Sequence, residues 1–441
     1  VQVRINESDP GHTLNLSIVA TASIGPGDLA IIDLPRRDVD GENITTNTDD
    51  GPQTWLSSRA FRINADAPIV AYQFNTIDQQ FSNDASLLLP THALGITHYV
   101  LSNGPSGPFG DLGPLGDFGP KNRGYVTIVG VTEGTTVDVT PSYDIVAGEG
   151  VPAVSTGDGE DVGIVAGTTE GFTLGPFDVL NLETTLIEFD IFDPPTDLPD
   201  LTGTIVASDQ PVAVFTGTDL SLFSDGFSED PCCAEHIEEQ VLPTRAMRNT
   251  FVVSRSAVRS STTPENDIYR IMAGAVAANV TTSLPGSDAS FSLAPAEFRE
   301  VITAAGFIVE ADNPVQIAQF LVAGGDVPSG SNGDSSMLVV PPVEQRLTEY
   351  TFTTGEGFSS NHVVVSMVDG TNAELDGTAL AAAGCSGPAP EGTLFGDDYV
   401  AWTCDIADGV HAVTADEDIA IYVYGYYSAG SYAYPGGAGL N

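Results

Sequence analysis

Apolar positions along this chain alternate in short runs cut by Gly, Pro, Asp and Ser, and helical periodicity is nearly absent. Val, Ile, Thr, Phe and Tyr fill the runs, which predicts an all-β protein. One phrase recurs four times, at Phe61–Phe74, Thr204–Phe215, Phe307–Phe320 and His411–Tyr424. In each copy two alternating runs flank an Asp-x-Pro or acidic turn, the pattern of a β-hairpin.

A second phrase sits between copies of the first. It reads Leu87-Leu-Leu-Pro90-Thr-His-Ala, Val241-Leu-Pro243-Thr-Arg-Ala and Val339-Val-Pro341-Pro-Val-Glu, each followed by a strand-like run. The turn residues Asp66, Asp209, Asp312 and Asp416 lie 143, 103 and 104 residues apart. A unit of about a hundred residues therefore repeats. The copies run at about 18–170, 171–289, 290–394 and 395–441 of a single repeat-built domain, with an insertion at about 103–170.

Runs such as Ser290–Leu293, Glu297–Ile302, Gly306–Glu310 and Val315–Phe320 read as four consecutive strands. Leu29–Leu34 belongs to a similar set. Repeated four-stranded meanders predict a seven- or eight-bladed β-propeller, with Ser431–Pro435 and the strands Val1–Ile5 and Leu14–Ile18 sharing one blade. Tandem β-sandwiches are the alternative. If the terminal strands do not meet, Val1–Ile18 is a free strand that donates itself to the next subunit of a filament.

Charge narrows the partners. With 60 acidic and 14 basic residues the formal net charge is −46. Such a surface repels nucleic acid and anionic membranes, so nucleic-acid binding is excluded. Self-repulsion of this size calls for salt or bound cations, which suits a saline extracellular medium. No run approaches the eighteen apolar residues of a membrane span, and direct membrane insertion is not expected. The first residue is Val1, and the chain reads as a processed or excerpted secreted segment.

Candidate chemistry is sparse. Cys385 and Cys404 flank a Gly-Pro-Ala-Pro loop, and a disulfide there is worth about 3 kcal/mol in the loop-entropy account. Cys232, Cys233 and His236 offer zinc-type donors from one short segment, or a loop disulfide, the plainer reading. For calcium the acidic loops at Asp111 and Asp117, at Asp158, Glu160 and Asp161, and at Asp416 and Asp418 supply carboxylates, though none has the spacing of a calcium-binding loop. Calcium is the one cofactor considered. Tyr422, Tyr424, Tyr432 and Tyr434 form an aromatic concentration, either a contact surface for protein or sugar or ordinary core. No catalytic motif stands out, and no enzyme is expected.

Four stretches carry a resemblance: Ser86–Gly95, Cys233–Pro243, Asp334–Gln345 and Ile421–Gly437. Together they resemble the N-terminal domain of the IgG-Fc-binding protein, a family named for a mammalian mucus protein and widespread in bacterial secreted and surface proteins. The resemblance runs from about residue 60 to the end and leaves out 103–170. It implies an extracellular, non-enzymatic adhesive or structural role through contact with protein or glycan. Antibody binding is not implied, because no Fc-contact motif carries over residue by residue. The rivals are a filament subunit made of copies of this chain and a calcium-dependent glycan binder.

Overall fold

A computed structural model describes residues 1–41, 51, 53–75, 83–105, 122–156, 160–186, 198–228, 233–330 and 332–440. Among them there is no α-helix, only strands and short 3-10 turns. The all-β expectation holds.

In chain order the first strands are β1 (Gln2–Asn6), β2 (Leu16–Thr21), β3 (Trp55–Ser57), β4 (Phe61–Asn64), β5 (Tyr72–Asn75) and β6 (Asp84–Leu87). Next come β7 (Gly95–Tyr99), β8 (Gly124–Gly130), β9 (Thr135–Thr140), β10 (Ile145–Val146), β11 (Ser155–Thr156), β12 (Asp161–Ile164), β13 (Glu170–Leu174), β14 (Val179–Glu183), β15 (Ile205–Ser221) and β16 (Glu235–Gln240). A further group is β17 (Arg248–Val253), β18 (Asp267–Ala273), β19 (Ala278–Thr282), β20 (Ser290–Leu293), β21 (Phe298–Thr303), β22 (Phe307–Leu321) and β23 (Ser336–Val339). The last is β24 (Leu347–Thr353), β25 (Ser360–Val368), β26 (Ala373–Leu375), β27 (Thr378–Ala379), β28 (Ser386–Leu394), β29 (Asp397–Ile406), β30 (Val410–Tyr427) and β31 (Gly430–Pro435).

Two compact units result. One comprises Val1–Ile69, Leu89–Leu220 and Gln240–Arg245, the other Val70–Leu88, Ser221–Glu239 and Ala246–Asn441.

The repeated phrase is not a hairpin. In three of its copies it is one long strand, β15, β22 or β30, whose halves pair with different neighbours and never with each other. The first half of β22 pairs with β17 and β19, and its second half with β18 and β23. β30 does the same with β24 and β26, then β25 and β31. The Asp-x-Pro or acidic segment lies at a register shift between the halves, where extra residues bend the strand. Proline fits there because a bulge leaves its missing donor without consequence. At Phe61–Phe74 the halves are the separate strands β4 and β5.

Consecutive strands also fail to form meanders. β20 pairs with β19 and β21 with β18, so each copy is one hydrogen-bonded sheet with the long strand at its centre and different neighbours on its two halves. Strand composition explains the assignment. β18 is buried at every position and apolar at all but Asp267 and Arg270, as fits a strand covered on both faces. β9 alternates buried and exposed positions because one of its faces meets water.

The stretch 103–170, expected as an insertion, contains β8, β9 and the start of β13, which pair as β18, β19 and β20 do. What copy one adds among the described residues is the small sheet β10-β12-β11. At the N-terminus β1 is a central strand, paired with β2 on one edge and β4 on the other, so Val1–Ile18 is not a free donor. β31 pairs with β30.

Candidate functional site

In the second unit β6, β23 and β31 touch one another, and residues 233–239 run beside them. β6 and β23 run just before Pro90 and Pro341 of the second phrase, and β31 ends at Pro435. Their polar positions turn inward and are held by carboxylates. Asp84 accepts hydrogen bonds from Ser336 Oγ at 2.7 Å, from the Glu238 amide at 3.0 Å and from the Ala85 amide at 2.9 Å. Glu239 accepts from Ser86 Oγ at 2.7 Å and from the Val339 amide at 3.2 Å, and Glu235 accepts from the Asn83 amide at 2.7 Å. Asp334 accepts from the amides of Cys233 at 3.0 Å and Ser335 at 3.1 Å, while its own amide donates to Ser431 Oγ at 2.7 Å.

All four carboxylates are buried. Burial pushes the Asp84 carboxyl well above the usual range, and nearby Glu239 adds to this against the three hydrogen bonds. Burial likewise pushes Asp334 up to about 7, opposed by the Cys233 and Ser335 amides and by Arg259. Chemically this is a lock. The carboxylates satisfy strand amides and hydroxyls that would otherwise be buried without partners.

Aromatic packing seals one side. Tyr72 lies 4.6 Å from Tyr434 between ring centroids, Phe74 meets Tyr432 edge-on at 5.6 Å, and Tyr72 Oη donates to the Gly436 carbonyl at 2.7 Å.

Tyr422, Tyr424, Tyr432 and Tyr434 are therefore core, not a contact surface. Alternation along β30 is the reason, because both of its faces are covered. Tyr422, Tyr424 and Tyr426 enter one apolar cluster, and Ile421 and Val423 enter another with Tyr432 and Tyr434. Three of the four hydroxyls are satisfied inside: Tyr424 by Gln319 at 2.8 Å, Tyr432 by Asn361 at 2.6 Å and Tyr434 by the Thr353 carbonyl. Between the tyrosines Gly425 is required, since a methyl there would overlap the Tyr432 ring.

The remaining candidates scatter. Cys385 and Cys404 are joined by a disulfide that ties the turn after β27 to β29. Cys233 is disulfide-bonded and so presents no thiolate to a metal, His236 Nε2 lies 3.6 Å from Glu238 Oε2, and Cys232 lies outside the described residues. Asp111, Asp117 and Asp158 also lie outside them. Glu160 grips Arg123 through two contacts, at 2.6 and 3.2 Å, and Asp161 is an exposed residue opening β12. Among the described residues no group of three or more His, Cys, Asp or Glu is arranged to hold a metal ion.

Asp416 has another use. It accepts from the amide of Asn372 at 2.8 Å and from its side chain at 2.6 Å, and Asp312 grips Asn279 in the same way at 2.8 and 2.7 Å. Asp209 accepts from the Thr136 amide at 2.9 Å. The acid of the bend thus clasps the neighbouring strand in all three copies. Asp418 has an exposed place in β30 beyond this clasp.

The strands of the lock begin where the known similarity begins. A family model described as IgGFc binding protein matches residues 84–425. The chain belongs to the IgGFc binding protein family. The match opens on Asp84 itself and includes 103–170, which the resemblance in sequence had left out. No curated protein and no solved structure matches the chain. Asp84 and Asp334 were legible as a pair in one respect, because each stands two residues before a serine, Ser86 or Ser336, and an apolar run to proline.

Proposed function

We propose that this protein is an extracellular or cell-surface contact module, adhesive or structural, that works through protein–protein contacts. Family membership over residues 84–425 carries the reading. It is supported by a chain that spends its buried acids on holding strands together, by its disulfides, and by a net charge of −46 that suits a saline medium. The scaffold is read as tandem sheet-built copies rather than a closed ring of four-stranded blades, because each long strand organises one sheet of seven or eight strands.

The test is retention of protein-coated beads on surfaces bearing extracellular material in molar salt, against beads coated with an unrelated protein of equal charge. Retention abolished by protease treatment of the surface is the expected result. Loss on glycosidase treatment, or on chelation of calcium, would move the reading to a calcium-dependent glycan binder. Filaments seen by electron microscopy in the same salt would move it to self-assembly.

A further inference from the structure

The strands β3, β14, β21 and β29 each stand directly before a copy of the recurring phrase. Each follows a turn residue held in the left-handed backbone region: Gln53 (φ 55°), Phe177 (72°), Ala296 (60°) and Phe395 (56°). They are counterparts, and their neighbours differ. β14 and β3 pair with each other, antiparallel, with Leu180 opposite Leu56, Val179 opposite Ser57 and Asn181 opposite Trp55. Leu56 and Leu180 both stand three residues after the turn residue, so inside the first unit like pairs with like about a pseudo-two-fold axis. β29 has β25 on one edge and its hairpin partner β28 on the other.

β21, in the second unit, differs from both. It pairs with β18, and among the described residues no strand lies on its other edge. The Ala273 amide donates to the Glu297 carbonyl, so the alternation of an antiparallel ladder turns the amides and carbonyls of Phe298, Glu300 and Ile302 away from β18. None of them has a backbone partner among the described residues. At the same positions of β14 Val179, Asn181 and Glu183 are buried, whereas Phe298 is half-buried and Glu300 and Ile302 are exposed. The charges along this edge are already paired, Arg299 with Asp288 at 2.7 Å and Arg270 with Glu300 at 3.3 Å.

We propose that β21 is a self-association edge, at which two copies of this chain pair β21 with β21, antiparallel about a two-fold axis. The contact repeats between molecules what β3 and β14 do within one. β21 is longer than β3, and centring the pair on Val301 keeps Arg299 from facing itself and sets it opposite Thr303. Glu300 then lies opposite Ile302 of the second copy, and their outward amides and carbonyls satisfy one another. Because the same edge is used on both sides, the assembly stops at a dimer and does not grow into a filament. Two chains of net charge −46 repel, so the pairing needs salt to screen them. Such a dimer stands apart from contacts with other proteins, which bead retention reads on its own.

Light scattering of the full chain in molar salt tests this. The mass is expected to rise from one chain to two with concentration and to fall back as salt is removed. Amide exchange at Glu300 and Ile302 should slow by roughly tenfold on dimerisation, with β20 amides unchanged. Ile302→Pro removes an outward donor without touching the ladder to β18 and should leave the chain monomeric. Ile302→Asp, a change on an exposed face that sets a carboxylate beside Glu300 of the second copy, should do the same while the melting temperature moves by no more than about 2 °C. The proposal is overturned by a one-chain mass at about 1 mM protein, where even a millimolar dimer is well populated. A dimer that both variants still form, or a mass that climbs past two chains, overturns it as well.

Discussion

Asp84 and Asp334 at the strand junction do the same work as Asp312 and Asp416 at the strand bends. All four accept hydrogen bonds that hold neighbouring strands, yet their acidities move in opposite directions. At the bends the Asn279 and Asn372 side chains and amides hold the carboxyls below the usual range. At the junction a comparable set of donors is overridden by burial. Hydration decides the sign, because a hydrogen bond offsets only part of what a buried charge loses on leaving water.

The comparison is broken most severely by pH. A carboxyl that binds its proton more tightly when folded contributes stability that is complete below its unfolded value and declines as pH rises through its folded one. For Asp334 that window runs from about 4 to about 7, and the loss reaches up to about 4 kcal/mol. Denaturant titrations across the window should show it, and Asp334→Asn should flatten the profile. A profile unchanged by this substitution would mean that Asp334 is not the titrating group.

Next in size is Asp84→Ala, which strands the Ser336 hydroxyl and the Glu238 amide in the interior and should cost about 3 kcal/mol. Asp84→Asn, similar in shape and neutral like the protonated acid, should cost much less at neutral pH. Equal losses for the two would show that geometry, not charge state, governs the junction. The smallest effect belongs to the bends. Asp312→Ala should lower the melting temperature by about 1–2 °C, and more clearly at neutral pH than below the acid's depressed value, where the carboxylate is already protonated.

How much of this was readable from the chain varies by element. Alternation in β9 and the apolar run of β18 were plain, since burial on one face or two writes itself into the composition. Pairing was not. An Asp-x-Pro segment between two alternating runs fits a hairpin turn and a bulge in one long strand equally well, and only the neighbours of each half tell them apart. Leu29–Leu34 has the composition of a strand but forms none among the described residues, because pairing needs a neighbouring edge that its own sequence cannot specify. The tyrosines of β30 were visible as a group, but their burial depended on a second apolar layer far along the chain. Asp84 and Asp334 carried a shared local pattern whose meaning emerged only when distant strands met.

Running β22 and β30 unbroken through both halves of their sheets has a mechanical side. One side of the bend cannot peel away while the same polypeptide stays anchored on the other, so tension must rupture ladders on both halves together. A molecule that grips one body while tethered to another would gain from such stitching, since a pull at either end meets the resistance of the whole seam.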